Sequence, residues 1–147
     1  MLKKIYFSRI RSKLEYGCKV WHSSLTIKNR NDLERCQKSS LKIILGPKYD
    51  NYSQALEYLK IQTLDQRRDA LCMKFAKKCL KLSNMKQLFP VKCKKHIMHT
   101  RNIMKYEVNK SKSQRYKFSA IPQMQKALNT EYVMNMKRRQ ECFKQRV

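Results

Sequence analysis

An all-α fold is what this sequence predicts, as a small helical bundle with a basic, partly extended C-terminal segment. Three observations carry that expectation. Two glycines and three prolines among 147 residues leave few turn signals, which favours long helices. Apolar residues recur at three- and four-residue steps, the spacing of one helix face. Two of these stretches stop at Gly17 and at Gly46-Pro47; a helix readily ends at a glycine in the left-handed region, and proline cannot continue one. A hydrophobic content of 41% suffices for a modest core. The expected organisation is a helical domain over residues 1–90, a basic linker over 91–122 and a C-terminal helix over 123–147.

The first helix is expected over residues 2–15, with Leu2, Ile5, Tyr6, Ile10 and Leu14 in one stripe and Phe7 off it. Left uncovered, Ile5, Tyr6 and Phe7 would form a patch that promotes self-association. The segment from Cys18 to Leu25 holds the single tryptophan, Trp21, which should pack over the helix junction because tryptophan buries a large area. A second helix should run from about Lys28 or Asp32 to Leu45. Its inward stripe would be Leu33, Cys36, Leu41 and Ile44, with Arg35, Lys38 and Lys42 on the opposite side.

Ser53 is the expected N-cap of a short helix through QALEYL. Thr63-x-x-Gln66 matches a capping box and opens a third long helix that ends near Leu82. Leu64, Leu71, Phe75, Cys79 and Leu82 form its apolar stripe, and Arg67, Lys74, Lys78 and Lys81 its basic one. Beyond Phe89-Pro90, residues 91–121 lack a sustained period and are expected to be extended or partly disordered without a partner. Helical spacing resumes from Gln123 to about Lys144, with Met124, Leu128, Tyr132 and Met136 on one face.

The charge balance narrows the partners. Thirty-five Lys and Arg against ten Asp and Glu give +25. The excess is distributed: residues 1–82 carry 19 basic and 7 acidic groups, residues 83–130 carry 11 and 1, and residues 131–147 carry 5 and 2. Such a chain repels itself and attracts polyanions, nucleic acid first and an anionic membrane surface second. No segment has the length of a membrane span, so no membrane partner is expected. Basic residues interrupt any apolar run near Met1, so no signal peptide is expected and the six cysteines should be reduced thiols of an intracellular protein. Lys137-Arg138-Arg139 is a short candidate for nuclear entry.

Several chemistries find no support. Nucleotidyl transfer needs paired carboxylates to hold divalent ions, and none of Asp32, Asp50, Asp65 and Asp69 adjoins another. Arg67 and Arg68 separate Asp65 from Asp69, and a carboxylate in the first helical turn explains Asp65. Cys93, His96 and His99 offer three zinc ligands, but a structural site takes four, and neither Cys72 nor Cys79 completes a recognised spacing. No glycine-rich loop is present to cradle phosphates, and no nucleophile motif organises the serines and histidines. No cofactor and no catalytic residue are expected. In the run RYKFSAIP, an extended backbone would put Arg115 and Lys117 on one side and Tyr116 and Phe118 on the other. That suits phosphate contact with base stacking, although docking of the two aromatics on the helical core is the preferred reading.

Three motifs share one likeness. Residues 9–46, RIRSKLEYGCKVWHSSLTIKNRNDLERCQKSSLKIILG, resemble the region just after the catalytic core in reverse transcriptases of non-LTR retrotransposons. That family carries similar "LEYG…W" and "LER.Q…L.I.LG" signatures in what is regarded as its thumb. QTLDQRRDALCMKFAKKCLK and RYKFSAIPQMQKALN are similar to later stretches of the same polypeptides, so the likeness extends from about residue 2 to 130. It implies a helical thumb and post-thumb extension of an RNA-directed DNA polymerase, the part that would hold a template–primer duplex. The aromatic-Asp-Asp hallmark of the catalytic palm does not occur.

The expectation is therefore a non-catalytic thumb-like fragment that binds RNA, DNA or their hybrid through phosphates, without reading sequence. Arg35, Lys38, Lys42, Arg67, Lys74, Lys78, Lys81, Arg115 and Lys117 are the candidate binding residues. A separate polymerase palm domain is a second candidate partner. The alternative is a decayed transposon remnant with no selected activity, prone to self-association.

Overall fold

The computed structural model describes residues 1–91, 105–108 and 111–144, without the side chains of residues 137 and 139–144. The described residues are mostly helical and contain no strand beyond one isolated antiparallel bridge between Val91 and Tyr106. The all-α expectation holds. The chain forms two compact units, Met1–Cys72 and Met73–Val147.

The first unit opens with one continuous helical stretch in three parts: α1 (Leu2–Ile5), a π-helical turn (Tyr6–Arg11) and α2 (Ser12–Glu15). Gly17, at φ 61°, ends it in the left-handed region, as the sequence predicts. Burial along this stretch departs from the predicted stripe. Tyr6 is buried, whereas Leu2, Ile5, Phe7 and Ile10 stay exposed, so most of the predicted stripe does not enter the core. Next come α3 (Cys18–Trp21), a 3-10 turn (His22–Ser24) and α4 (Ile27–Leu45). Thr26 starts α4 as N-cap by accepting the Asn29 amide at 3.2 Å. Trp21 is half-buried above Gly17 and donates its indole N–H to the Tyr16 carbonyl at 2.9 Å.

On α4 the predicted stripe turns inward at Leu41 and, half-buried, at Leu33 and Ile44, but not at Cys36. Gln37, Ser40 and Leu41 are buried and Cys36 is exposed. The reason is Gln37, which has polar partners waiting for it. Its Oε1 accepts the Tyr6 hydroxyl at 2.7 Å, and its Nε2 donates to the Tyr52 hydroxyl at 2.9 Å and the Gln62 carbonyl at 3.1 Å. A buried amide is tolerable when its donors and acceptor are met. The Tyr52 hydroxyl in turn donates to Glu34.

After a 3-10 turn at Gly46–Lys48, α5 covers Tyr52–Leu59. Its cap is Asn51, which accepts the Gln54 amide at 2.9 Å, so the cap lies two residues before the predicted Ser53. Lys60, at φ 53°, closes α5 in the left-handed region, and the Ile61 amide reaches back to the Leu56 carbonyl at 2.8 Å. Tyr6, Leu41, Ala55, Leu59 and Ile61 form the apolar core here, with Ile44, Leu45, Tyr49, Tyr52 and Leu56 packed against it.

Helix α6 (Leu64–Lys81) begins in the first unit and ends in the second. Thr63 accepts the Gln66 amide at 3.3 Å, as the capping signature requires, and Glu34 accepts the Leu64 amide at 3.2 Å. The second unit continues with α7 (Ser83–Lys86), α8 (Gln114–Lys117) and α9 (Ala120–Lys144). Ala76, Cys79, Phe89, Tyr106, Met124 and Leu128 are buried in it. Two amides organise its polar backbone: Gln125 donates to the Leu88 carbonyl at 2.8 Å, and Asn129 exchanges two bonds with the Tyr106 backbone, at 2.9 and 3.0 Å. Helix α9 starts three residues before the predicted Gln123, and α8 interrupts the stretch expected to be extended. The described cysteines Cys18, Cys36, Cys72 and Cys79 are free thiols.

Burial in the first unit makes its stability sensitive to base. It pushes the Tyr6 hydroxyl from 10.0 up to about 12, and it raises Tyr52 with help from the Glu34 carboxylate. Burial likewise lifts the Cys72 thiol from 9.0 to about 11. Each group holds its proton more tightly folded than unfolded, so its contribution is complete below the unfolded value and lost as pH rises through the folded one. The urea midpoint should stay level below pH 9, begin to fall near there, and drop steadily from pH 10 to 12. A level midpoint across that window would contradict the burial of these groups.

Candidate nucleic-acid interface

The predicted binding residues occupy different settings. On α4, Arg35, Lys38 and Lys42 are all exposed, and steps of three and four put them on one side of the helix. Arg35 lies 3.4 Å from Asp32. Lys38 sits over the Tyr52 ring at 5.0 Å and Lys42 over the Tyr49 ring at 5.5 Å. An aromatic beneath the ammonium steadies it while leaving it accessible to an anion.

On α6, Lys74, Lys78 and Lys81 are exposed, again three and four apart. Arg67 differs, since its Nε donates to Glu15 Oε1 at 3.0 Å, beside Arg11, whose Nε reaches the same oxygen at 2.9 Å. Arg115 and Lys117 are exposed on α8, a single helical turn capped by Ser113. The extended geometry pictured for this run is therefore not adopted, and the alternation of sides it required is lost. Nor do the two aromatics dock: Tyr116 is 44% and Phe118 47% exposed, because the turn aims them outward.

A buried polar cluster went unforeseen. Arg68 is fully buried on the apolar side of α6, and His22 is 2% exposed. The Arg68 guanidinium lies 5.8 Å from the Trp21 ring and 3.7 Å from Asp65, and it makes no hydrogen bond to a described residue. Asp65 also accepts from Arg30 at 3.2 Å, and His22 Nε2 meets Asp69 at 2.9 Å. The sequence did carry a signal for Arg68, which falls four residues after Leu64 and three before Leu71, among core positions. Asp65 keeps its predicted place in the first turn of α6 and gains these cationic neighbours.

Among the described residues, no group of three or more His, Cys, Asp and Glu is placed to hold a metal ion. Cys93, His96 and His99 lie outside the described residues. No described helix is long and apolar enough to cross a membrane. No protein-family model, curated protein or solved structure matches the chain.

The buried arginine sets an asymmetry that mutation can read. Removing one partner of a buried ion pair leaves the other charge uncompensated, whereas replacing the charge with an apolar side chain of similar length is often neutral. The Asp65 side chain is 42% exposed, so water screens part of its contribution: Asp65→Asn should lower stability by about 1 kcal/mol and Arg68→Met by less, both by urea unfolding. The opposite ranking would refute this account of the cluster.

Proposed function

We propose that this chain is a non-catalytic, thumb-like fragment related to non-LTR retrotransposon reverse transcriptases, binding RNA, DNA or their hybrid through phosphates without sequence preference. The observation that carries the reading is a charge of +25 spread along the chain rather than gathered in a tail. Exposed Lys38 and Lys42 on α4 and Lys74, Lys78 and Lys81 on α6 support it, as cations at helical spacing can neutralise successive phosphates. The likeness of residues 9–46 to the retrotransposon thumb supports it independently. In that setting, a separate palm domain would be the natural protein partner, and entry to the nucleus would follow the substrate.

Binding by phosphate neutralisation releases counterions, so affinity must fall steeply with salt. A gel-shift titration should show affinity for unrelated oligonucleotides dropping at least about tenfold between roughly 50 and 200 mM salt. Affinity that barely moves over that range would refute the reading.

A second reading, a transposon remnant without selected activity, is favoured by one feature of the first helical stretch. Leu2, Ile5, Phe7 and Ile10 are between 36% and 49% exposed. Neighbouring apolar side chains in water drive association. Light scattering at low salt should give large polydisperse particles under this reading and a uniform monomer under the first.

A further inference from the structure

We infer that the groove between the first helical stretch and the start of α6 is a subsite for one unpaired nucleotide, its phosphate on Arg11 and Arg67 and its base against Phe7. The inference rests on the nucleic-acid-binding reading and adds to it a place and a preference for single strands. The groove is open to solvent, is lined by Phe7, Arg11, Ser12, Glu15 and Arg67, and has a volume of about 400 Å³. That volume lies in the range of small-molecule sites, ~300–1,000 Å³, and a bare phosphate would leave most of it empty.

The arginines are prearranged. Glu15 Oε1 accepts both Nε atoms, from Arg11 at 2.9 Å and from Arg67 at 3.0 Å. A guanidinium held by Nε keeps its two Nη groups for another acceptor, and their fork suits a phosphate. Neither arginine's Nη groups hydrogen-bond to a described residue. Two cations against one carboxylate leave the groove positive, so an anion is favoured over a neutral ligand. Glu15 positions the two forks and does not itself contact the ligand.

Phe7 supplies what a plain phosphate clamp would not need. The Arg11 guanidinium lies over its ring at 4.8 Å, and Phe7 remains 36% exposed. A ring joined to a stacked guanidinium is a platform on which any base can lie, whatever its identity. In a duplex the bases are stacked on one another and cannot use it. The groove therefore discriminates strandedness while leaving sequence unread.

Fluorescence polarisation with a labelled 12-nucleotide RNA and the matching blunt duplex tests this. Phe7→Leu should weaken the single strand about tenfold and leave the duplex unchanged. Arg11→Gln with Arg67→Gln should weaken the single strand and reduce its salt slope by about one. Glu15→Gln keeps an acceptor for both Nε atoms and should retain binding, whereas Glu15→Leu should lose it. Equal loss of both ligands in Phe7→Leu, wild-type behaviour of the double arginine variant, or equal binding by the two Glu15 variants overturns the subsite. Wild-type chain that binds neither ligand in a salt-dependent way overturns the broader reading instead. Crosslinking of a 4-thiouridine oligonucleotide to the unaltered chain avoids any folding defect. Adducts should map to residues 5–15, and adducts found only elsewhere overturn the subsite.

Discussion

Gln37 is the residue on which the first unit turns. Its amide spends its hydrogen-bonding capacity inside the protein, on Tyr6 from the first helical stretch, Tyr52 from α5 and Gln62 just before α6. Tyr52 passes the connection to Glu34, which holds the first amide of α6. Four segments are thus fixed by one chain of polar bonds through an otherwise apolar centre. Apolar contacts are tolerant of sliding, but an amide with three partners is satisfied in one arrangement only. This network and the Leu33, Leu41 and Ile44 stripe turn the same side of α4 inward.

The second governing fact is how few carboxylates there are, and how each is used. Glu15 holds two arginines, Asp65 faces Arg30 and Arg68, Asp69 meets His22, and Glu131 pairs with Lys77 at 2.5 Å. Arg67 with Glu15 and Arg30 with Asp65 each join separate helices through an arginine, and Lys77 with Glu131 joins two through a lysine. Lys38, Lys42, Lys74, Lys78 and Lys81 remain exposed at the surface. Arginine's fork suits a fixed partner and lysine's compact charge suits a moving one.

Helices were legible where a local signal fixed them. Gly17, Gly46-Pro47 and Thr63-x-x-Gln66 act over a few residues, and the elements they bound lie where the spacing puts them. Faces were harder to read. Cys36 belongs to the arithmetic stripe of α4 but is exposed, because Gln37 has partners 15 to 31 residues away that no local period reveals. The π turn over Tyr6–Arg11 shifts Ile10 relative to Tyr6, since one widened turn breaks a rule that assumes a constant pitch, whereas Leu2 and Ile5 precede it and are exposed as well. Of the basic candidates, Lys42, Lys74, Lys78, Lys81 and Lys117 were readable as exposed because no carboxylate stands three or four residues from them. Arg67 was not, because its partner Glu15 lies 52 residues earlier. Arg68 went unforeseen because a charged side chain ordinarily stays in water, and no local period shows that Trp21, 47 residues earlier, packs against it.

Asn129 has a consequence for how the second unit meets other chains. The Tyr106 segment touches Val91 on one flank, and its outer flank would ordinarily present a bare N–H and C=O. The Asn129 amide occupies both, imitating the peptide group of a neighbouring strand. A would-be β-ladder is terminated at one rung, and a template for stacking identical molecules is plugged from within. With its N–H and C=O both bonded by Asn129, Tyr106 offers no free backbone donor or acceptor on this flank for another chain to pair with.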